Sequence, residues 1–152
     1  MKKVFALRGR RKIGKSQTIR TVDELLRLKY PSVSIEHEYR TKAELRVVLC
    51  VNGVKIGIES TGEKIERIKA SFDLFVSLGC DIIICASRTT GRTVDAVNAL
   101  PQYEVVWLEQ QVESVPFEQV LSNLAMARHI VEATEECIAS AKPAVLSHAA
   151  GR

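Results

Sequence analysis

The chain has 152 residues, of which 46% are hydrophobic and 26% charged, a balance that suits one globular domain burying roughly 70% of its unfolded surface. No apolar run approaches the roughly 20 residues that span a bilayer, and Met1-Lys2-Lys3-Val4 leads into a short strand rather than a signal-peptide core, so no membrane is expected and a cytoplasmic location is. The net charge of +4 is modest, and eight aromatics without basic-aromatic alternation argue against a base-stacking groove.

Lys3-Val4-Phe5-Ala6-Leu7 reads as a short strand. Directly after it, Gly9-Arg10-Arg11-Lys12-Ile13-Gly14-Lys15-Ser16 matches GxxxxGK[ST] at every fixed position. Glycines at that spacing let backbone N–H groups wrap phosphate oxygens, a lysine at the seventh position reaches the outer phosphates, and the hydroxyl after it suits Mg²⁺. The expected ligand-binding run is therefore residues 9–17, closing with Gln17, and Arg8, Arg10, Arg11, Lys12 and Lys15 crowd cations around it. A helix follows over 15–29, with Ile19, Val22, Leu25, Leu26 and Lys29 at spacings of three or four.

Pro31 breaks the chain, and residues 32–36 alternate as a half-buried strand before a charged connection over 37–44, in which His37 has no catalytic companions. Residues 45–51 and 54–59 are β-rich runs joined by Asn52-Gly53, the preferred two-residue hairpin turn. The second run ends in Glu59-Ser60-Thr61-Gly62-Glu63, an acidic, hydroxyl-bearing turn where ligands gather in an open α/β sheet.

Strand, GxxxxGKS loop, helix and a hairpin whose returning strand ends in acid-x-x-Gly together resemble a P-loop NTPase, with a layout closest to the GTPase-like branch. The resemblance implies that Lys15 stabilises the β and γ phosphates and that Ser16 and Glu59 hold Mg²⁺, with glutamate standing where aspartate is usual. It also implies that Gly62 senses the terminal phosphate and that Glu63 stands where the attacking water is positioned.

A helix is expected over 63–78, ended by Gly79, and then a continuous apolar strand over 80–86 of parallel-sheet type. At its end Ser87-Arg88-Thr89-Thr90-Gly91-Arg92-Thr93 packs two arginines beside the ligand edge. Arg88 and Arg92 suit the clamping of a phosphate or a second substrate; alternatively Thr93 caps a helix over 94–100 and both arginines are solvated. Ala86-Ser87-Arg88-Thr89 stands where the GTPase-like branch carries Asn-Lys-x-Asp, so guanine specificity is unsupported and ATP is the default over GTP. Residues 103–109 read as the last strand. A long helix from Pro116 to about residue 141 carries a covering stripe of Phe117, Val120, Leu121, Leu124, Ala127, Val131, Thr134 and Ile138, with His129 at the surface. Residues 142–152 read as a flexible tail. Cys50, Cys80, Cys85 and Cys137 lack metal spacing and read as buried reduced thiols.

The expectation is thus a single nucleotide-binding domain over 1–141, a three-layer α/β sandwich. Its mostly parallel sheet carries an antiparallel hairpin at one edge, in the order 2-3-4-1-5-6 by strand number. The expected activity is Mg²⁺-dependent binding of a nucleoside triphosphate with hydrolysis or phosphoryl transfer, the acceptor being an unidentified small molecule. The alternatives are a nucleotide-responsive module that meets a protein partner, and a nucleic-acid-associated protein using its basic loop.

Overall fold

The computed structural model describes residues 2–10 and 13–150, with side chains described as far as residue 141. In chain order the elements are β1 (Lys3–Arg8), α1 (Lys15–Lys29), β2 (Ser34–Arg40), β3 (Leu45–Val51), β4 (Val54–Glu59), α2 (Ile65–Ser77), β5 (Ile82–Ser87), α3 (Arg92–Asn98), β6 (Glu104–Glu109) and α4 (Pro116–Ala150). Successive side chains of a strand point to opposite faces, and the central strands are apolar on both. Phe5, Leu7, Ile82 and Ile84 meet Ile19, Val22 and Leu26 of α1 and Ala127, Ile130, Val131 and Ile138 of α4. Val4, Ala6, Ile83 and Cys85 meet Ile68, Phe72 and Phe75 of α2 and Val97 of α3. Helices therefore cover both faces of the sheet. Among the described residues no helix is long and apolar enough to cross a membrane.

The sheet is six-stranded and mixed, in the order β2-β3-β4-β5-β1-β6. The expected order is corrected at one point: β5 stands between β4 and β1, so that β4 pairs with β5 instead of β1 and β6 takes the other side of β1. Every residue of β5 is buried, whereas β6 has exposed glutamates at both ends and half-buried residues between them. A strand buried on both faces belongs in the interior of a sheet, and one with charged ends suits an edge. β4, β5, β1 and β6 pair in parallel, while β3 runs against both β2 and β4. Antiparallel pairing thus extends over β2, β3 and β4 instead of one hairpin.

The turn at Asn52-Gly53 forms as expected, with both residues at positive φ. β2 runs to Arg40, through much of the segment expected to be a connection. Its side chains are mostly exposed, and α1 holds it through Asp23, which accepts a hydrogen bond from Arg40 at 2.8 Å, and Arg27, which donates to Glu38 at 2.7 Å. Gly57 is required by packing, since a Cβ there would lie 2.6 Å from the ring of Phe75. Burial pushes the Cys80 thiol up to about 12; all four cysteines are free, Cys80 and Cys85 buried as expected but Cys50 and Cys137 only half-buried.

α4 departs from the expected stripe. Ala127, Val131, Thr134 and Ile138 are buried as expected, but Phe117, Val120, Leu121 and Leu124 are 69%, 62%, 49% and 41% exposed. The buried face instead begins with Asn123 and continues through Ala127 and Ile130. At 3.6 residues per turn it is rotated by roughly a quarter turn from the exposed stripe. Helical backbone continues to Ala150, past the start of the expected tail and through Pro143. Residues 151 and 152 lie outside the described residues.

Candidate functional site

Parallel register sets Arg8 level with Ser87 and Glu109, and Glu59 level with Cys85, so the carboxyl ends of β1, β4, β5 and β6 form one edge. The glycine loop leaves β1 at that edge and enters α1 at Lys15. Gly14 caps α1 at φ 88° and ψ 17°, a left-handed conformation that favours glycine. A Cβ there would also run into the side-chain amide of Asn123. Gly14→Ala is expected to cost about 1–3 kcal/mol from the backbone alone. Thermal unfolding should read this as a fall of about 5 °C in Tm.

Lys15 is only 6% exposed, and its ammonium donates hydrogen bonds to the carbonyls of Gly9 and Arg10, each at 2.6 Å. Burial lowers its pKa, the nearby Glu63 carboxylate opposes that shift, and the Arg88 guanidinium adds to it. The Ser16 hydroxyl donates to the carbonyl of Ser60 at 3.1 Å, tying the first turn of α1 to the end of β4. Gly14, Lys15 and Ser16 form one wall of a cavity of about 300 Å³, and Thr61, Gly62 and Glu63 form the other. Ile13 is buried, whereas Arg10 and Gln17 are exposed. Arg11 and Lys12 lie outside the described residues. Arg8 turns towards β6, where it pairs with Glu109 and lies 4.8 Å from the Trp107 ring centroid, so its charge is engaged outside the loop.

The turn after β4 comes next to the loop as expected, but Glu59 itself faces inward. Fully buried, its carboxylate accepts the Thr61 backbone N–H at 2.9 Å and the Ser71 hydroxyl, with Arg46 at 3.6 Å and Arg67 at 3.4 Å. These groups support a role in holding the turn, beside the Mg²⁺ role that the resemblance implies for Glu59. Gly62 lets the turn press against β5, since a Cβ there would stand 3.0 Å from the Ala86 Cβ and 3.2 Å from the Ser87 nitrogen. The Ser16 hydroxyl and Glu63 carboxylate belong to residues lining the cavity, and such oxygen donors suit a hard cation. No cluster of three or more His, Cys, Asp or Glu placed for a metal occurs among the described residues.

Ser87 lies directly beside the loop, its carbonyl accepting the Gly9 N–H at 3.1 Å. Glu63, Ile65, Arg88, Gly91, Arg92 and Thr93 line a second cavity of about 140 Å³, so Glu63 borders both spaces. Arg88 is half-buried, its Nε lacking a hydrogen-bond partner among the described residues, and Arg92 is exposed. Thr93 does not cap α3. Gly91 occupies the cap position, and the Thr93 hydroxyl instead accepts the Arg88 N–H at 3.1 Å and contacts the Ser87 hydroxyl at 3.2 Å.

A polar buttress behind the loop escaped the sequence reading. Gln110 accepts the Thr18 hydroxyl at 3.1 Å and donates to Asn123, which also accepts from Gln119 at 2.9 Å. Two signals pointed there: Gln110 follows the carboxyl end of a parallel strand, and Asn123 lies four residues before Ala127 on the buried face. The chain matches no protein-family model, curated protein or solved structure.

Proposed function

We propose that the chain binds a Mg²⁺–nucleoside triphosphate, with ATP the default base, and hydrolyses it or transfers its terminal phosphoryl group. The observation that carries this reading is the buried Lys15 ammonium at the mouth of a glycine loop, across a cavity from the 59–63 turn. Lysine and backbone N–H groups recognise phosphate oxygens, and the Ser16 hydroxyl would hold the cation. Magnesium, when bound, neutralises phosphate charge. Glu59 keeps the turn in place, Gly62 allows its close approach to β5, and Glu63 is positioned to orient a nucleophile between the two cavities. Arg88, whose Nε has no hydrogen-bond partner among the described residues, and Arg92 supply positive charge where the transferred group would develop negative charge.

Thermal unfolding with ATP, GTP and ADP, each with and without Mg²⁺, tests this reading. Nucleotide at about 100 times its dissociation constant adds roughly 2.7 kcal/mol, a rise of about 5–10 °C for a domain of this size. An unchanged Tm with every nucleotide would overturn the proposal. A slow-turnover switch is the second reading, favoured by the contact between loop glycine Gly14 and Asn123 of α4, which joins the loop to a helix with an exposed apolar stripe. Phosphate release slower than about one per hour in the presence of tight nucleotide binding would select it over an efficient enzyme.

A further inference from the structure

α4 carries two apolar stripes, and the fold uses one. Phe117, Val120, Leu121 and Leu124 stand at i, i+3, i+4 and i+7, all exposed, and Val112 and Val115 just before the helix are 50% and 46% exposed. Together they present on the order of 500 Å² of apolar surface, at the upper end of what a monomer leaves uncovered. We propose that this patch is the contact between two copies of the chain, related by a two-fold axis and packed helix against helix in antiparallel fashion.

Spacing and area support a second copy as the occupant. Large residues at i, i+3, i+4 and i+7 form the seam by which helices interdigitate, and a two-fold operator lets one patch complement itself. Doubling about 500 Å² gives on the order of 1,000 Å², the lower limit for a specific interface and the range of a reversible dimer. Between Arg92 and Arg128 the chain has no lysine or arginine, so the stripe and the segment leading into it carry no cation of their own. Near the stripe the acids are Glu113, which accepts the Ser122 hydroxyl at 3.0 Å, and Glu118. This proposal stands independently of the nucleotide reading.

Sedimentation equilibrium of the full chain tests it. The weight-average mass should rise from that of one chain towards that of two between about 1 and 100 μM, as a dissociation constant of order 10 μM requires. Phe117→Ser with Leu121→Ser should abolish the rise and leave the Tm of the dilute protein within about 2 °C, because both side chains are already exposed. A single-chain mass throughout the range, or a dimer that survives the double substitution, would overturn the proposal. Leu121→Cys gives a second readout that does not depend on that variant folding. Oxidation should link it to its own copy, whereas Lys69→Cys on the exposed side of α2 should not be linked. Equal linkage at both positions, or none at either, counts against the two-fold contact.

Discussion

Lys15→Ala is expected to weaken Mg²⁺–nucleotide binding by about a hundredfold or more, the largest single effect on function in the chain. A charge-assisted hydrogen bond contributes about 1.5–3 kcal/mol, and 2.8 kcal/mol corresponds to a hundredfold change in binding. Isothermal titration of parent and variant measures the loss, and unchanged affinity would remove the loop from the proposed site. Lys15→Met separates binding from folding. The pKa of Lys15 is lowered from its ordinary 10.5 chiefly by burial, so the folded protein holds this proton less readily than the unfolded chain. Stability attached to this residue therefore rises with pH from the folded pKa up to about 10.5, and at neutral pH its charge opposes folding. Removing that charge offsets the loss of hydrogen bonds to Gly9 and Arg10. The Tm of Lys15→Met at pH 7 should stay within about 2 °C of the parent or rise, while nucleotide binding is lost.

Glu59→Ala is expected to destabilise the protein by about 3 kcal/mol, the largest stability effect proposed for a site residue. Removing the buried carboxylate takes the acidic partner from Arg46 and leaves Arg67 to Glu44 at 2.8 Å. Arg46 and Arg67, with side chains 19% and 15% exposed, have little solvent to turn to. Melting curves should show a fall of roughly 6–12 °C. Glu59→Gln retains the shape and can still accept the Thr61 N–H, so a smaller fall is expected. If Glu59 mainly ligated magnesium, Gln would abolish the Mg²⁺ dependence of nucleotide binding while barely moving the Tm. The measurements separate an anchor from a metal ligand.

Local signals carried much of the site into the sequence. Strand, glycine loop and helix are contiguous at residues 3–29, and Asn52-Gly53 specifies its hairpin without distant partners. Placement of the acidic turn beside the loop was also legible, because both lie at carboxyl ends of parallel strands. Which strand separates them was a question of competing burial, decided by the difference between β5 and β6. The direction of the Glu59 side chain depends on Arg46 and Arg67, neither adjacent to it in sequence. β2 was underestimated because an edge strand solvated on both sides needs no apolar alternation. On α4, a string of apolar residues at helical spacing concealed a change of face, visible only once Asn123 is seen packed behind the loop.

The insertion of β5 between β4 and β1 also sets an order of assembly. β2, β3 and β4 pair with chain neighbours, whereas Lys3 of β1 has its partners at Ile82 and Glu104. Closing those long loops costs more entropy than forming the meander, and pairing over such distances is slow. As the chain leaves the ribosome, β1 must wait until β5 has emerged before it can join this sheet. The glycine loop emerges early, but the strand that holds it gains its neighbours late.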